Sequence, residues 1–167
     1  MDSKSEELIY FLSLEKHPEG GYFKETYRSE RKIIETEENG EFPHGRNFGT
    51  SIYFLLKNEE FSAFHKIKSD EIWHFYEGNP LEIISIDSDG FLEVQILGND
   101  LKKGQVFQCV VKAGKWFGSR LQNPNSYTLV GCTVAPGFDF KDFEMAEREK
   151  LLVEFPQHSE VILNLTR

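Results

Sequence analysis

The stretch FSAFHKIKSDEIWHFYEG, residues 61–78, carries the clearest signals in this chain. It predicts two successive β-strands, and side chains two residues apart on a strand share one face of the sheet. Glu71, Trp73 and Phe75 therefore share a face, and His74 lies on the opposite one. A carboxylate in line with two large aromatic side chains is unusual on a solvent-exposed face. The pattern predicts the lining of a barrel or sandwich that holds a ligand.

Strand signals continue on both sides of this stretch, from Tyr22 to Val134. Turn sequences separate many of the strands, for example Gly-Asn-Pro at 78–80 and Ser-Asp-Gly at 88–90. Short strands at this spacing favour an antiparallel sandwich or barrel over alternating strand–helix units. The predicted strands are Tyr22–Arg28, Thr50–Leu56, Ser62–Ile67, Glu71–Glu77, Leu81–Ile86, Leu92–Leu97, Gln105–Val111, Lys115–Leu121 and Tyr127–Val134.

Both ends of the chain change to helical periodicity. Ser5–Leu14 predicts a short amphipathic helix that ends before the His-Pro-Glu-Gly-Gly sequence at 17–21. Phe143–Leu165 predicts a helix to about Phe155 and a shorter element after it, because Pro156 interrupts the pattern.

At 167 residues the chain fits one domain without a linker. We predict a single domain over 1–167, with the barrel at about 22–134 and a helical segment at about 141–167. The polar segment Glu30–Asn47 predicts a long exposed excursion. Its acidic residues lack the ligand spacing of a calcium loop and predict a solvated loop instead; they are Glu35, Glu37, Glu38 and Glu41.

Composition narrows the range of partners. The formal net charge is -9, from 28 acidic and 19 basic residues, which disfavours binding to nucleic-acid backbones. Cys109 and Cys132 lie in apolar runs and predict buried thiols. No stretch is long and apolar enough to cross a bilayer, and the first residues are too acidic for a signal peptide. We therefore expect a cytoplasmic protein with neither a nucleic-acid nor a membrane partner.

Two features of the 61–78 stretch resemble the first sequence motif of the cupins. Glu71–Gly78 has the E-x6-G ending of that motif, and His65 stands where the first histidine of its HxHx3E opening stands. Stretches from one end of the chain to the other resemble one branch of the RmlC-like cupins, the uncharacterised cupin_5 group. They are HPEGGYFKETYRS (17–29), SIYFLL (51–56), SDEIWHFYEG (69–78), VVKAGKWFGSRL (110–121), LVGCTVAPGFDFKDFEMA (129–146) and the final LTR.

The resemblance implies an all-β fold, the double-stranded β-helix or small jelly-roll barrel of the cupins. It implies that the short N- and C-terminal helices pack outside the barrel, and that the protein is a homodimer. It implies no particular reaction, because this branch has no established activity.

The chain departs from the pattern of metal-binding cupins at two positions. Such cupins supply two histidines and a glutamate from the first motif and a third histidine from the second. Here Ile67 stands in place of the second histidine and Phe117 in place of the last, which leaves His65 and Glu71 of four ligands. Zinc, iron and manganese sites normally need at least three protein donors. We therefore predict no resident metal and no other cofactor.

Three functions stay open. In the first, the barrel binds a small sugar-like or carbonyl-containing molecule and acts as a metal-independent isomerase or epimerase. The catalytic residues are then His65, as acid or base, and Glu71, in analogy with the sugar epimerases of the superfamily. In the second, His65, Glu71 and His74 bind a catalytic metal, which requires a β-bulge to turn His74 inward. In the third, the chain is a ligand-binding or sensing module without chemistry.

The predicted ligand contacts are mostly aromatic. Trp73, Phe75 and Phe117 are expected to form the pocket wall, and Phe54 has the ring to stack on a sugar or nucleobase. His74 completes this set as a polar contact on the same strand as Trp73.

The remaining basic residues give weaker signals. Arg120 is predicted to contact the ligand, and Arg28 and Arg46 either neutralise an anionic ligand with it or are solvated residues at strand ends. The histidines outside the 61–78 stretch are predicted at the surface; they are His17, His44 and His158.

Overall fold

The computed structural model describes residues 3–34, 40–42 and 44–167, and it confirms the predicted all-β architecture. The helices are α1 (Ser3–Phe11), α2 (Arg148–Glu154) and α3 (Ser159–Asn164). The strands are β1 (Glu15–Lys16), β2 (Tyr22–Arg28), β3 (Lys32–Ile33), β4 (Arg46–Asn47), β5 (Thr50–Lys57), β6 (Phe61–Lys66), β7 (Asp70–Gly78), β8 (Leu81–Ile86), β9 (Leu92–Leu97), β10 (Gln108–Val111), β11 (Trp116–Leu121), β12 (Tyr127–Ala135) and β13 (Glu144–Met145). Each predicted strand is present, with small shifts at the ends.

The strands form two facing antiparallel sheets. One has six strands in the order β1-β2-β5-β12-β7-β10, and the other has five in the order β13-β6-β11-β8-β9. Strands β3 and β4 pair with each other outside these sheets. The predicted jelly roll is confirmed as a sandwich of two sheets, which over the described residues do not close into one continuous barrel.

The main core lies between the two sheets. It follows from the alternation of side chains along each strand, which turns every second residue inward. Leu56 and Trp73 reach it from the six-stranded sheet, and Ile83 and Phe117 reach it from the five-stranded sheet. All four are almost fully buried, so apolar side chains fill the centre of the space between the sheets.

The helices pack on the outer faces of the sandwich, as predicted. Leu8 of α1 packs against Leu55 and Leu129 on the outside of the six-stranded sheet. The C-terminal helices cover the five-stranded sheet, where Leu151 of α2 joins a cluster with Trp116. None of the helices in the described residues is long and apolar enough to cross a membrane.

The start of the C-terminal helix was predicted too early. We expected it at Phe143, but α2 begins at Arg148, and the preceding residues form β13 along the edge of β6. The backbone N–H of Ala146 also donates to the carbonyl of Phe64 at 2.8 Å. Pairing with a sheet edge satisfies these backbone groups and overrides a local helical pattern.

The excursion between β2 and β5 is less exposed than predicted. Arg46 of β4 is only 7% exposed, and its guanidinium donates to both carboxylate oxygens of Asp142 at 2.6 and 2.7 Å. A paired guanidinium is stable in such a buried position, so the surface placement expected for Arg46 was wrong. Glu35, Glu37 and Glu38 of the acidic run lie outside the described residues, and Glu41 is exposed.

A turn at 17–21 carries the chain from β1 into β2. The backbone N–H of Gly20 donates to the carbonyl of His17 at 3.0 Å, and Gly20 has a φ of +120°. A Cβ atom at Gly20 would overlap the carbonyl oxygen of Phe61. Glycine is therefore required here for both its backbone conformation and its lack of a side chain.

We predict that Gly20→Ala destabilises the fold more than Gly104→Ala does. Gly104 also has a positive φ, +76°, but open space surrounds its missing Cβ. Its substitution should cost about 1 kcal/mol of backbone strain, while the clash at Gly20 should cost at least about 2 kcal/mol more. Urea unfolding of both variants measures the difference. Equal losses of stability in the two variants would contradict the close approach of the turn to β6.

Candidate functional site

A cavity of about 300 Å³ opens between the two sheets at one end of the sandwich. Strands β2, β5, β7 and β12 form its floor, β6 forms one side, and the 17–21 turn and the segment after β12 close it. His65 and Glu71, the two predicted catalytic residues, both line this cavity. Their catalytic role stays a prediction.

The carboxyl group of Glu19 is the centre of the polar contacts in the cavity. One of its oxygens accepts a hydrogen bond from Ser62 Oγ at 2.9 Å, and the other lies 3.1 Å from His65 Nε2. His17 Nδ1 lies 3.5 Å from that second oxygen and accepts a hydrogen bond from the backbone N–H of Glu19 at 3.2 Å. All four side chains are buried.

An irregularity in β6 allows two of these residues to reach the same carboxyl group. Ser62 and His65 are three residues apart, so regular alternation would put them on opposite faces. The pairing with β11 shifts between them, since His65 lies opposite Phe117 and Ser62 lies opposite Ser119. The extra residue in β6 is the mark of a β-bulge, and it turns both side chains toward Glu19.

A backbone hydrogen bond sets the tautomer of His65. Its Nδ1 lies 2.7 Å from the carbonyl oxygen of Ala63, which can only accept, so Nδ1 carries a proton. Nε2 of a neutral ring is then an acceptor. Burial lowers the pKa of His65 to about 4, and burial raises the pKa of Glu19. Burial thus favours the neutral form of both groups, and in that form the Glu19 O–H donates to His65 Nε2.

Glu71 is the second buried carboxyl in the same cavity. It is 8% exposed, and burial, assisted by the nearby Glu19, raises its pKa to about 8. The thiol of Cys132 donates a hydrogen bond to it, and burial raises the pKa of that thiol well above its ordinary value. Burial therefore favours the neutral form of both acids in the interior of the cavity.

Charged residues lie at the mouth of the cavity. Arg28 donates from Nε and Nη2 to the two carboxylate oxygens of Glu25, at 3.0 and 2.7 Å. Its Nη1 donates to Asn47 Oδ1 and to the carbonyl of Phe138, both at 3.0 Å. The backbone N–H of Lys141 donates to the Asp139 carboxylate and lowers its pKa, so Asp139 remains ionised.

The predicted aromatic wall lies in the core and does not line the cavity. Phe54 and Trp73 pack edge to face at 5.8 Å between ring centroids. Phe117 packs on the back of the His65 ring at 4.1 Å, and Phe75 is half-buried against the same core. These residues lie behind the cavity. Strand alternation turns them inward, but at a depth where side chains of the two sheets are already in contact.

His74 and Arg120 lie on outer faces of the sandwich. His74 Nε2 is 3.1 Å from Thr133 Oγ1, and its Nδ1 accepts from Gln108 at 2.9 Å. Arg120 donates to Glu82 at 2.7 Å on the outside of the five-stranded sheet. The bulge that a metal site with His74 requires is absent at this residue, since Ile72, Trp73 and His74 keep a regular register with β12.

Sequence reasoning missed the residues that come from turns. His17 was expected at the surface, but its ring is buried and packs on Phe23 at 4.6 Å, because the Gly-Gly turn folds it inward. Glu19 and the segment 138–140 were not singled out. Both belong to the stretches that carry the family resemblance, at 17–29 and 129–146. That resemblance was the signal in the sequence that could have identified them as site residues. The other two surface predictions differ, since His44 is exposed and His158 is half-buried.

The donors in the cavity do not fit the metal sites of other cupins. Ile67 and Phe117 are buried core residues at two of the four ligand positions. His65 uses Nδ1 for a backbone carbonyl and Nε2 for Glu19. Within residues 3–34, 40–42 and 44–167, no group of three or more His, Cys, Asp or Glu side chains has the geometry to hold a metal ion.

Comparison with known proteins assigns the chain to a family. Residues 6–146 match the family model Cupin_5, described as "Cupin superfamily (DUF985)". The chain belongs to this family of cupins, which confirms the resemblance found in the sequence.

Relatives from three organisms cover nearly the whole chain. Protein SO0799 of Shewanella oneidensis is 40% identical with a TM-score of 0.88, over 98% of this chain and 97% of that one. A hypothetical protein of Leishmania major is 34% identical with a TM-score of 0.87, over 97% and 98%. The uncharacterized protein YML079W of Saccharomyces cerevisiae is 34% identical over 156 residues, 88% of this chain and 77% of the yeast protein. Their names state no activity.

The raised pKa of Glu71 predicts a pH-dependent stability. Below about pH 4.5 this carboxyl is protonated whether the chain is folded or unfolded. Between that pH and about 8 the unfolded chain ionises it and the folded protein does not, so the stability contributed by the protonated group falls as pH rises. We expect Glu71→Gln to gain a few kcal/mol over the parent between about pH 4.5 and about pH 8, at about 1.4 kcal/mol per pH unit, and to keep a constant gain above that range.

Urea unfolding at several pH values measures this effect. Glu149→Gln, an exposed substitution on α2 with the same change in charge, is the control and should follow the parent at each pH. A stability difference between Glu71→Gln and the parent that is constant with pH would show that Glu71 is ionised in the folded protein.

Proposed function

We propose that this protein binds a small, sugar-like or carbonyl-containing molecule in the cavity between its sheets and moves a proton on it without a metal, as an isomerase or epimerase does. The observation that carries the proposal is the convergence of His65, Glu19 and Glu71 on one buried cavity. Burial favours the neutral form of each of these groups. Such groups in a mostly apolar cavity are the usual setting for acid–base catalysis.

The proposed chemistry needs one proton acceptor and one proton donor. Proton transfer next to a carbonyl takes a proton from carbon and gives one to the carbonyl oxygen. His65 Nε2 is the acceptor, Glu19 turns its O–H from His65 to the ligand and is the donor, and Glu71 contacts the ligand beside them. The backbone carbonyl of Ala63 keeps the His65 ring in the tautomer that this role requires.

The metal-dependent alternative receives less support. It needs His74 beside His65 and Glu71, but the His74 side chain contacts Thr133 and Gln108 on the opposite face of the sheet. We therefore propose a protein without a resident metal or other cofactor. Stoichiometric zinc, iron or manganese, retained through dialysis of protein purified without chelator, would favour the metal-dependent function instead.

We predict that His65→Gln folds but loses function, while His74→Gln keeps it. Glutamine retains some hydrogen bonding but cannot accept and release a proton near neutral pH. The variant should melt within a few degrees of the parent, since Glu19 and Ala63 can still be partnered. Ligand binding is measured by saturation-transfer NMR against sugars and small carbonyl compounds, and proton transfer by deuterium incorporation in D2O.

The outcomes separate the remaining hypotheses. Unfolding of His65→Gln at room temperature would make His65 a structural residue. Binding in the parent without deuterium incorporation would identify a sensing module without chemistry. Equal losses in His65→Gln and His74→Gln would contradict the cavity as the site.

We also propose that two chains form a homodimer. Exposed apolar side chains lie on the outer face of the six-stranded sheet, where Tyr27, Tyr76 and Val110 are between 41% and 57% exposed. Burying them against a second copy removes this apolar area from water. A light-scattering mass of one chain at micromolar concentration would exclude the dimer. The cytoplasmic location stays a prediction.

A further inference from the structure

The cavity that we propose as the ligand site has an excess of carboxyl groups. Glu19 comes from the 17–21 turn, Glu25 from β2, Glu71 from β7 and Asp139 from the segment after β12. The one lysine or arginine among the described lining residues is Arg28. Acids from four separate segments therefore face one enclosed space.

Arg28 is not available to an anionic ligand. Its Nε, Nη1 and Nη2 already donate to Glu25, Asn47 and the carbonyl of Phe138. The bidentate contact with Glu25 also offsets the charge of Arg28, and the other cations that act on Asp139, Arg46 and Lys141, do not line the cavity. Among the described lining residues, a carboxylate or phosphate that entered the cavity would therefore meet acids without an uncommitted cationic partner, and that is costly in a low dielectric.

Glu71 has an acceptor oxygen free for a ligand. It is more than nine-tenths buried and lines the cavity. Within the described part of the chain its hydrogen-bond partner is the Cys132 thiol, a weak donor that engages one oxygen at a time. Buried acceptors without a strong partner are rare in proteins, and a ligand donor is the natural partner here.

The apolar wall of the cavity also suits a positive charge. Phe23, Phe138 and Phe140 line it, and the faces of aromatic rings attract cations. Phe138 and Phe140 pack edge to face at 4.9 Å, which leaves ring surface toward the cavity beside the ionised Asp139. The net charge of -9 on the chain also attracts cations at long range.

We propose that the ligand of this cavity is an organic cation, a small molecule with a protonated amine that lies between Glu71 and the acids at the mouth. The proposal rests on the small-molecule site proposed above and adds the charge of its ligand. A sugar or carbonyl compound with an amino group meets both requirements.

Binding of a cation should depend on pH through Glu71. The titratable groups around it are Cys132 and Cys109 on the neighbouring strands and Glu19 on the facing turn. Burial raises the pKa of both thiols, that of Cys109 to about 12, so they stay protonated. The pKa of Glu71 is about 8 in the protein without ligand. A cation that binds below that pH therefore displaces the proton of Glu71. Affinity should therefore rise with pH up to about 8 and level off above it.

The test uses three probes of matched shape and different charge: benzylamine, benzyl alcohol and benzoate. We expect benzylamine to bind at least about tenfold more tightly than benzyl alcohol at pH 7, a charge effect of ordinary size, with benzoate the weakest. NMR titration measures the three affinities, and the amide signals of Phe23 and residues 138–140 report that binding occurs inside the cavity. The affinity for benzylamine should rise about fiftyfold between about pH 6 and about pH 8, a range in which the amine stays protonated.

Two variants show whether Glu71 is responsible. Glu71→Gln should lose both the preference for benzylamine and its pH dependence, while the exposed Glu149→Gln should keep both. If Glu71→Gln does not fold, the three probes on the parent protein still decide the question.

The three probes distinguish a failure of the cation proposal from a failure of the site. Equal binding of benzylamine and benzyl alcohol inside the cavity, or tighter binding of benzoate, overturns the cation but leaves the small-molecule site standing. Benzylamine that shifts only signals outside the cavity also overturns it. If none of the three probes binds, the cation proposal is wrong, and the titration with sugars and small carbonyl compounds decides the ligand site separately.

Discussion

The burial of Glu19 is the constraint on which the site depends. A carboxyl group between two sheets costs several kcal/mol unless its oxygens are partnered. Ser62 Oγ and His65 Nε2, both on β6, provide these partners. The 17–21 turn can reach them because Gly20 has no side chain to strike Phe61. The turn, the bulge in β6 and the His65 tautomer are therefore parts of one arrangement.

The rest of the sandwich makes this arrangement dry. The core between the sheets includes Ile67 and Phe117, where metal-binding cupins have histidines, and Phe117 packs directly behind the His65 ring. Removing water from both sides of the imidazole and from Glu71 favours their neutral forms, in line with the lowered and raised pKa values of these groups. The neutral imidazole and carboxyl groups of such a cavity can accept or donate protons. For this reason we propose proton transfer as the chemistry.

The segment after β12 lines the opening of the cavity, and buried contacts hold this segment in place. Asp142 is clamped by Arg46, and the backbone N–H of Phe138 donates to Thr50 Oγ1 at 3.0 Å. Arg28 adds a hydrogen bond to the carbonyl of Phe138. These contacts keep Asp139 and its aromatic neighbours over the opening, so the charge at the mouth is built by residues far apart in the sequence.

The sequence by itself determined the strands, the cupin family and the facing of Glu71, because alternation and turn chemistry are local properties of the chain. It also identified His65, from the spacing of the first motif. Tertiary structure alone decided that His17 and Glu19 belong to the cavity, that Arg46 is buried, and that Trp73 is core rather than wall. These outcomes depend on a turn, a bulge and a sheet edge, where packing against distant segments decides which way a side chain faces. The periodicity of a single strand carries no information about contacts with distant segments. Glu19, the hydrogen-bond partner of His65, is therefore recognised only in the folded structure.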